Sequence, residues 1–177
     1  GMYECPYPHK HLLTNEMLEY LGATERFLFL KDTASDPNLL RSRAALTGLR
    51  DMKLFNANSA TLLESLRNGY SGFSGVMANF HPRLYRWLWE NRDDHSGRAD
   101  TLQQFLGLAS MMESFDYPLN AKYYLKRKGL PVAVTRRNAP SCDISPSTQV
   151  LIEQLAGQSA YWEKQIHEEE PHEDPNS

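Results

Sequence analysis

The 177-residue sequence predicts an α/β fold: a short parallel sheet followed by an all-helical segment. Three observations predict it. Four short apolar runs in the first half each give way, within a few residues, to a helical pattern. The links between them are short. The second half carries its apolar residues at helical spacing and contains no convincing strand. Strand–helix alternation with short links is the signature of a parallel sheet, either doubly wound or part of a barrel.

The first strand is read at Met2-Tyr3-Glu4-Cys5 and stops at Pro6. Pro6 and Pro8 make residues 6–11 a loop, because proline interrupts a strand ladder. Thr14 caps a helix that runs through Tyr20 and ends at Gly22. Phe27-Leu28-Phe29-Leu30-Lys31 is the second strand. Ser35 or Asp36 caps the next helix, with Pro37 in its first turn; it carries Leu39, Leu40, Ala44 and Leu46 before Gly48. Met52-Lys53-Leu54-Phe55 is the third strand, and residues 59–67 form a helix closed by Gly69. Residues 72–77 form a Gly-rich fourth strand, where a backbone can approach a ligand closely. Pro82 starts a helix through Trp89. Trp87 and Trp89 lie two apart on it and cannot both face one core.

Helices are then expected over residues 101–115 and 120–128, the latter ended by Gly129. An irregular connection with Pro131, Pro140 and the Arg136-Arg137 pair follows. Ser145-Pro146 opens a long helix to about Ile166. The tail, residues 168–177, is acidic and Pro-rich and is expected to be disordered.

Composition bounds the function. Hydrophobic residues make up 41% and charged residues 23%, an ordinary globular balance. The net charge of -3 argues against nucleic acid or a polybasic membrane surface as a partner. No apolar run approaches the ~20 residues of a membrane span. The first residues lack the pattern of a signal peptide. Cys5 and Cys142 are far apart and make no metal spacing; a reduced, cytoplasmic protein without cofactor or metal is expected. His9-Lys10-His11 sits in a Pro-rich loop, where two histidines are ordinarily solvated.

Lys31 is the most informative residue. It ends a buried apolar strand, at the carboxyl end where parallel α/β proteins build active sites. Desolvation at such a position disfavours an ammonium and frees an amine to attack a carbonyl. The alternative is a lysine snorkelling from a strand end. Tyr3 ends the neighbouring strand and is either a proton relay or a half-buried strand tyrosine. Ser74 and Gly75 either offer backbone groups to a ligand or pack a tight strand.

Four segments carry a family resemblance, in the right order and near the right spacing. Tyr3-Glu4-Cys5-Pro6 resembles the Tyr-Asn-x-Pro strand end of the dihydrodipicolinate synthase/N-acetylneuraminate lyase family. Lys31-Asp32-Thr33 resembles its Schiff-base lysine motif. The stretch from Gly69 to Asn79 resembles its Gly-x-x-Gly-x-x-Ser/Gly-x-x-x-Asn pattern. Leu119-Asn120-Ala121-Lys122, Gly129-Leu130 and Arg136 resemble its C-terminal helical segment.

The resemblance implies the C-terminal half of a (β/α)8 TIM barrel, strands five to eight, with a C-terminal helical extension. Residues 1–95 would be the half-barrel, 96–167 the helical segment and 168–177 the tail. It implies a class I aldolase-type lyase acting on pyruvate or another 2-oxo acid. Lys31 would form the imine and Tyr3 would relay protons. Ser74, Gly75 and Ala57 would bind substrate; Ala57 stands where many relatives have glycine. Phe29, two before the lysine, would narrow the pocket. The partner expected is a small 2-oxo acid, with association either into a homo-oligomer or with a missing N-terminal half. The rival reading is a catalytically inactive truncated relative acting as a subunit or scaffold. A complete doubly wound domain is disfavoured, because no phosphate-type Gly loop opens the first strand–helix turn.

Overall fold

Four parallel strands form a sheet in the order β1-β2-β3-β4 in the computed structural model, which describes residues 1–137 and 143–167. They are β1 (Met2–Tyr3), β2 (Phe29–Asp32), β3 (Lys53–Asn56) and β4 (Gly72–Phe73). A doubly wound sheet reverses its strand order at a switch point. This sheet does not: each strand pairs in parallel with the next. Right-handed crossovers in one direction put every helix on one face, the winding of a barrel wall.

Two strands lie further along the chain than their apolar runs suggest. β2 includes Asp32 and β3 includes Asn56, and both side chains are fully buried. The sequence reads them as polar and stops the strand before them. Each folds back on its own backbone: Asp32 Oδ1 accepts from Ala34 N–H at 2.7 Å, and Asn56 Oδ1 from Asn58 N–H at 2.7 Å. These local bonds turn the strand ends toward the following helices.

The fourth strand is only two residues long. After it the chain enters a 3-10 turn, Val76–Asn79, instead of continuing to residue 77. Gly75 sits so close to the Phe73 ring and the Ala57 carbonyl that a Cβ there would fall 2.2 Å and 2.6 Å from them.

The helices follow their caps. Thr14 accepts from Met17 N–H and starts α1 (Asn15–Ala23). Asp36 accepts from Asn38 N–H and starts α2 (Pro37–Ala44). α3 (Leu62–Arg67) is preceded by a 3-10 turn over Ser59–Thr61, and α4 spans Pro82–Glu90. Gly22 does not end α1. It is buried inside it, and an added Cβ would lie 2.5 Å from the Gly48 carbonyl oxygen. Its value is close packing, not chain reversal. Gly69 and Gly129 do stop helices, in left-handed conformations at φ +101° and +92°.

The second half is helical among the described residues: α5 (Arg98–Ala109), α6 (Leu119–Arg127) and α7 (Pro146–His167). The helix expected over 101–115 divides, with a 3-10 turn at Ser110–Ser114. Pro140, Cys142 and the acidic tail over 168–177 lie outside the described residues. No described helix is long and apolar enough to cross a membrane.

Two apolar clusters hold the chain. One packs α1 and α2 on the outer sheet face through Leu18, Leu30, Leu40 and Leu54. The other joins α3 and α4 to the C-terminal helices through Leu62, Leu84, Leu102, Leu119 and Ile152. Trp87 packs against this second cluster while Trp89 is exposed, so the two tryptophans do face different surroundings. The opposite sheet face is open. Tyr3 and Phe29 on it are 50% and 44% exposed.

Candidate active site

The site starts from alternation along a strand. Tyr3 and Lys31 are register partners on β1 and β2, so their side chains leave the sheet on one face. Their successors, Glu4 and Asp32, leave on the other and are buried there. Arg43 of α2 reaches both. Its Nη2 donates to Glu4 Oε1 at 2.7 Å and its Nη1 lies 2.6 Å from Asp32 Oδ2. Tyr70 Oη donates to Asp32 Oδ2 at 2.7 Å. Burial first, and then the Asp32 charge, push the Tyr70 phenol well above its ordinary pKa, so it remains a donor. Glu4 also accepts from the N–H groups of Leu13 and Thr33. Two buried carboxylates are thus matched by one guanidinium, a phenol and backbone donors. This anchor beneath the sheet fixes the strand ends that carry Tyr3 and Lys31 above it.

Above the sheet, Lys31 Nζ lies 4.5 Å from the centroid of the Tyr3 ring. Burial, and then the neighbouring Cys5, raise the Tyr3 phenol above its ordinary value. The two side chains line a cleft of about 220 Å3. Thr33 and Ser35 continue its wall after β2. Ala57, Asn58 and Ser59 form the wall after β3, with Gly75 and Val76 after β4. Ser110 and Glu113, from the 3-10 turn after α5, complete it. Lys10, from the Pro-rich loop, donates to the Thr33 carbonyl at 2.5 Å.

The helical segment is locked onto these loops. Gln103 of α5 donates to the Ser59 carbonyl at 2.7 Å and accepts from Leu63 N–H at 2.9 Å. Ser59 Oγ and Tyr85 Oη are 2.7 Å apart in a buried pair, and the Tyr85 ring stacks on Phe73 with centroids 4.1 Å apart. Glu113 is half-buried. Burial raises its carboxyl above the usual range, and the positive charge of Lys31 pulls it back.

Of the residues singled out in the sequence, Tyr3, Lys31, Ala57 and Gly75 meet in this cleft. Ser74 does not line it; its N–H donates to the Asn56 carbonyl at 2.8 Å. Phe29 does not line it either. It packs edge-on against Phe55, with centroids 6.0 Å apart. Two residues earlier on the strand is a layer further from the strand end, so Phe29 does not narrow the cleft. Ser110 and Glu113 carry no motif in the sequence. Only the folding of a distant helical segment over the strand ends brings them in. A larger hollow, about 620 Å3, lies by α6 and the start of α7 and includes Lys126, Arg127 and Asp143. It holds no strand-end residue.

A parallel sheet with consecutive strand order, carrying an amine and a phenol on adjacent strands, defines an α/β protein with a cleft at its strand ends. Residues 2–158 match the model of the dihydrodipicolinate synthetase family, and the chain belongs to that family. No curated protein sequence matches it. Among solved structures, a dihydrodipicolinate synthase-like protein from Thermus thermophilus is 26% identical, with a TM-score of 0.71 over 92% of this chain and 55% of the other. A prophage protein of the same family from E. coli K12, in complex with pyruvate, is 21% identical, with a TM-score of 0.75 over 90% and 55%. N-acetylneuraminate lyase from Fusobacterium nucleatum, also complexed with pyruvate, is 19% identical, with a TM-score of 0.75 over 89% and 53%. The chain therefore spans little more than half the length of the solved structures it matches.

Proposed function

We propose that this chain supplies the imine-forming half of a class I aldolase-type lyase acting on pyruvate or a related 2-oxo acid. The observation that carries the reading is the pairing of Lys31 with Tyr3 at the carboxyl ends of adjacent parallel strands, in one cleft. Family membership and the pyruvate bound to two structural neighbours support it.

The chemistry follows from the two groups. The Lys31 amine attacks the ketone carbon, and the carbinolamine loses water to give a protonated imine. The electron pair of the bond between the α and β carbons moves into that imine as the bond breaks, the β-hydroxyl loses its proton and becomes the carbonyl of a released aldehyde, and an enamine remains. The neutral Tyr3 phenol relays that proton away through its hydroxyl and relays one back to the enamine carbon. Water then releases pyruvate and restores the amine. Gly75 and Ala57 line the cleft that would receive the substrate, and Ser74, beside Gly75, is tied to β3 by its N–H bond to the Asn56 carbonyl.

We further propose that the four strands are strands five to eight of a (β/α)8 barrel, with residues 96–167 as the helical extension. The sequential strand order, the exposed inner face and the coverage of the relatives support this. β1 and β4 each keep one unpaired edge among the described residues. Beside β1, an apolar groove is lined by Met2, Leu13, Met17, Tyr20 and Leu21. Edges and apolar faces of this kind demand cover. Association with a second half-barrel or with another copy is expected; a stable monomer of about 20 kDa in light scattering at micromolar concentration would count against it.

The imine itself is tested by incubation with pyruvate and borohydride. One reduced adduct on Lys31 is expected, and Lys31→Ala should abolish it. Tyr3→Phe should slow trapping about 100-fold, the scale of one lost proton relay. An adduct spread evenly over many lysines would refute the assignment.

A further inference from the structure

The cleft beyond Lys31 has a chemical character of its own. Asn58 and Ser59 form one side of it and Ser110 with Glu113 the other. All four are polar, and Glu113 is the one carboxylate among the lining residues. Lys31 is the one cation among them, and imine formation commits its nitrogen to the substrate. A substrate held on Lys31 therefore meets hydroxyls, an amide and an acid, and none of the other described residues lining the cleft is a cation.

Glu113 is built into this position. Its 3-10 turn follows α5 directly, and Gln103 ties α5 to the Ser59 loop by donating to the Ser59 and Ala60 carbonyls. Gly107 lets α5 approach that loop closely; a Cβ there would already touch Ala60 at 3.4 Å. The carboxylate feels the charge of Lys31, and its own charge is felt by the Tyr85 phenol. No side-chain hydrogen bond or salt bridge from another described residue engages it, so its oxygens are available to a ligand.

We infer that Glu113 reads the far end of the substrate: it accepts a hydroxylated chain and rejects a second carboxylate. The inference rests on the imine reading of Lys31 and assigns that same site its substrate class. A hydroxyl donates to the Glu113 oxygens and gains a charge-assisted bond. A distal carboxylate meets like charge in a half-buried cleft and finds no cation besides Lys31 among the described lining residues. Rejection by an opposing charge is how a site separates otherwise similar ligands.

The test measures trapping at Lys31 with cyanoborohydride for three probes: pyruvate, 2-oxoglutarate and a 4-hydroxy-2-oxo acid. The readout is the ratio of rates. At pH 7.5 the hydroxy acid should outpace 2-oxoglutarate by about 10-fold or more, the scale expected of one like-charge contact. Glu113→Gln should cut that ratio to about 2-fold or less, and Glu113→Asp should keep most of it. In the unmodified protein the ratio should also fall as pH is lowered, because burial raises the Glu113 carboxyl and a protonated acid no longer repels a carboxylate. This second measurement needs no variant to fold. Pyruvate trapped at Lys31 with a ratio indifferent to both Glu113→Gln and pH would overturn the inference and leave the imine reading intact. No adduct at Lys31 with any of the three would overturn both.

Discussion

Replacing Arg43 with methionine removes the one cation from a fully buried site. In the native protein its Nη1 lies 3.1 Å from Glu4 Oε2 and 2.6 Å from Asp32 Oδ2. Its Nη2 donates to Glu4 Oε1 at 2.7 Å and to the Leu13 carbonyl at 2.8 Å. Methionine fills similar space but strands two carboxylates and a carbonyl. Breaking a buried ion pair from one side costs about 3–5 kcal/mol. The remaining donors moderate this: Glu4 keeps two backbone N–H groups, and Asp32 keeps Ala34 N–H and Tyr70 Oη. The figure therefore stays within that range rather than doubling for two anions. For a chain of this size it corresponds to a drop in Tm of about 6–20 °C. Urea melts followed by far-ultraviolet circular dichroism measure it. Adding Asp32→Asn should recover part of the loss, since one stranded charge is then gone. The same variant should disturb Tyr3 and Lys31, whose strand ends the anchor holds, and slow pyruvate trapping. A loss under about 1 kcal/mol, with trapping unchanged, would refute the claim that this ion cluster positions the site.

Two further predictions follow from buried groups. His81 is fully buried, with Nδ1 3.0 Å from Ser159 Oγ; burial, and then the positive charge of Lys128, lower its pKa to about 4. A neutral imidazole in the folded state and an ordinary one in the unfolded state make stability full above pH ~6.5 and progressively lost as pH falls toward 4, by up to about 3 kcal/mol. Urea midpoints between pH 7 and pH 4.5 should show this slope, and His81→Phe should flatten it. Gly22→Ala puts a Cβ 2.5 Å from the Gly48 carbonyl and 2.7 Å from Leu49 Cα, both backbone atoms. A destabilisation of about 1–3 kcal/mol is expected in thermal melts, and a neutral or stabilising result would show that the two segments separate freely.

Much of the fold is legible in the residues because its signals are local. Apolar runs, caps at Thr14 and Asp36, and stops at Gly69 and Gly129 act within one turn of themselves. The strand-end position of Lys31 and its pairing with Tyr3 follow from the same local pattern once the strands are parallel and consecutive. What the sequence hid was set by contacts between distant segments. Asp32 and Asn56 read as strand terminators, yet they are buried because Arg43, Tyr70, Thr61 and Ser65 satisfy them. Gly22 reads as a helix stop, yet it marks where α1 meets the Gly48 backbone. Ser74 reads as a cleft residue from the family resemblance and Phe29 from strand alternation with Lys31, but a two-residue β4 and the layer below Lys31 place them outside its lining. Glu113 has no motif, because its meaning depends on α5 docking on the Ser59 loop, 82 positions along the chain from Lys31 (113 minus 31). The sequence alone determined the strand–helix alternation and the lysine at the strand end, since hydrogen-bonding geometry and side-chain periodicity are local. The tertiary structure decided which polar groups find buried partners and which line the cleft, since both depend on what another part of the chain brings alongside.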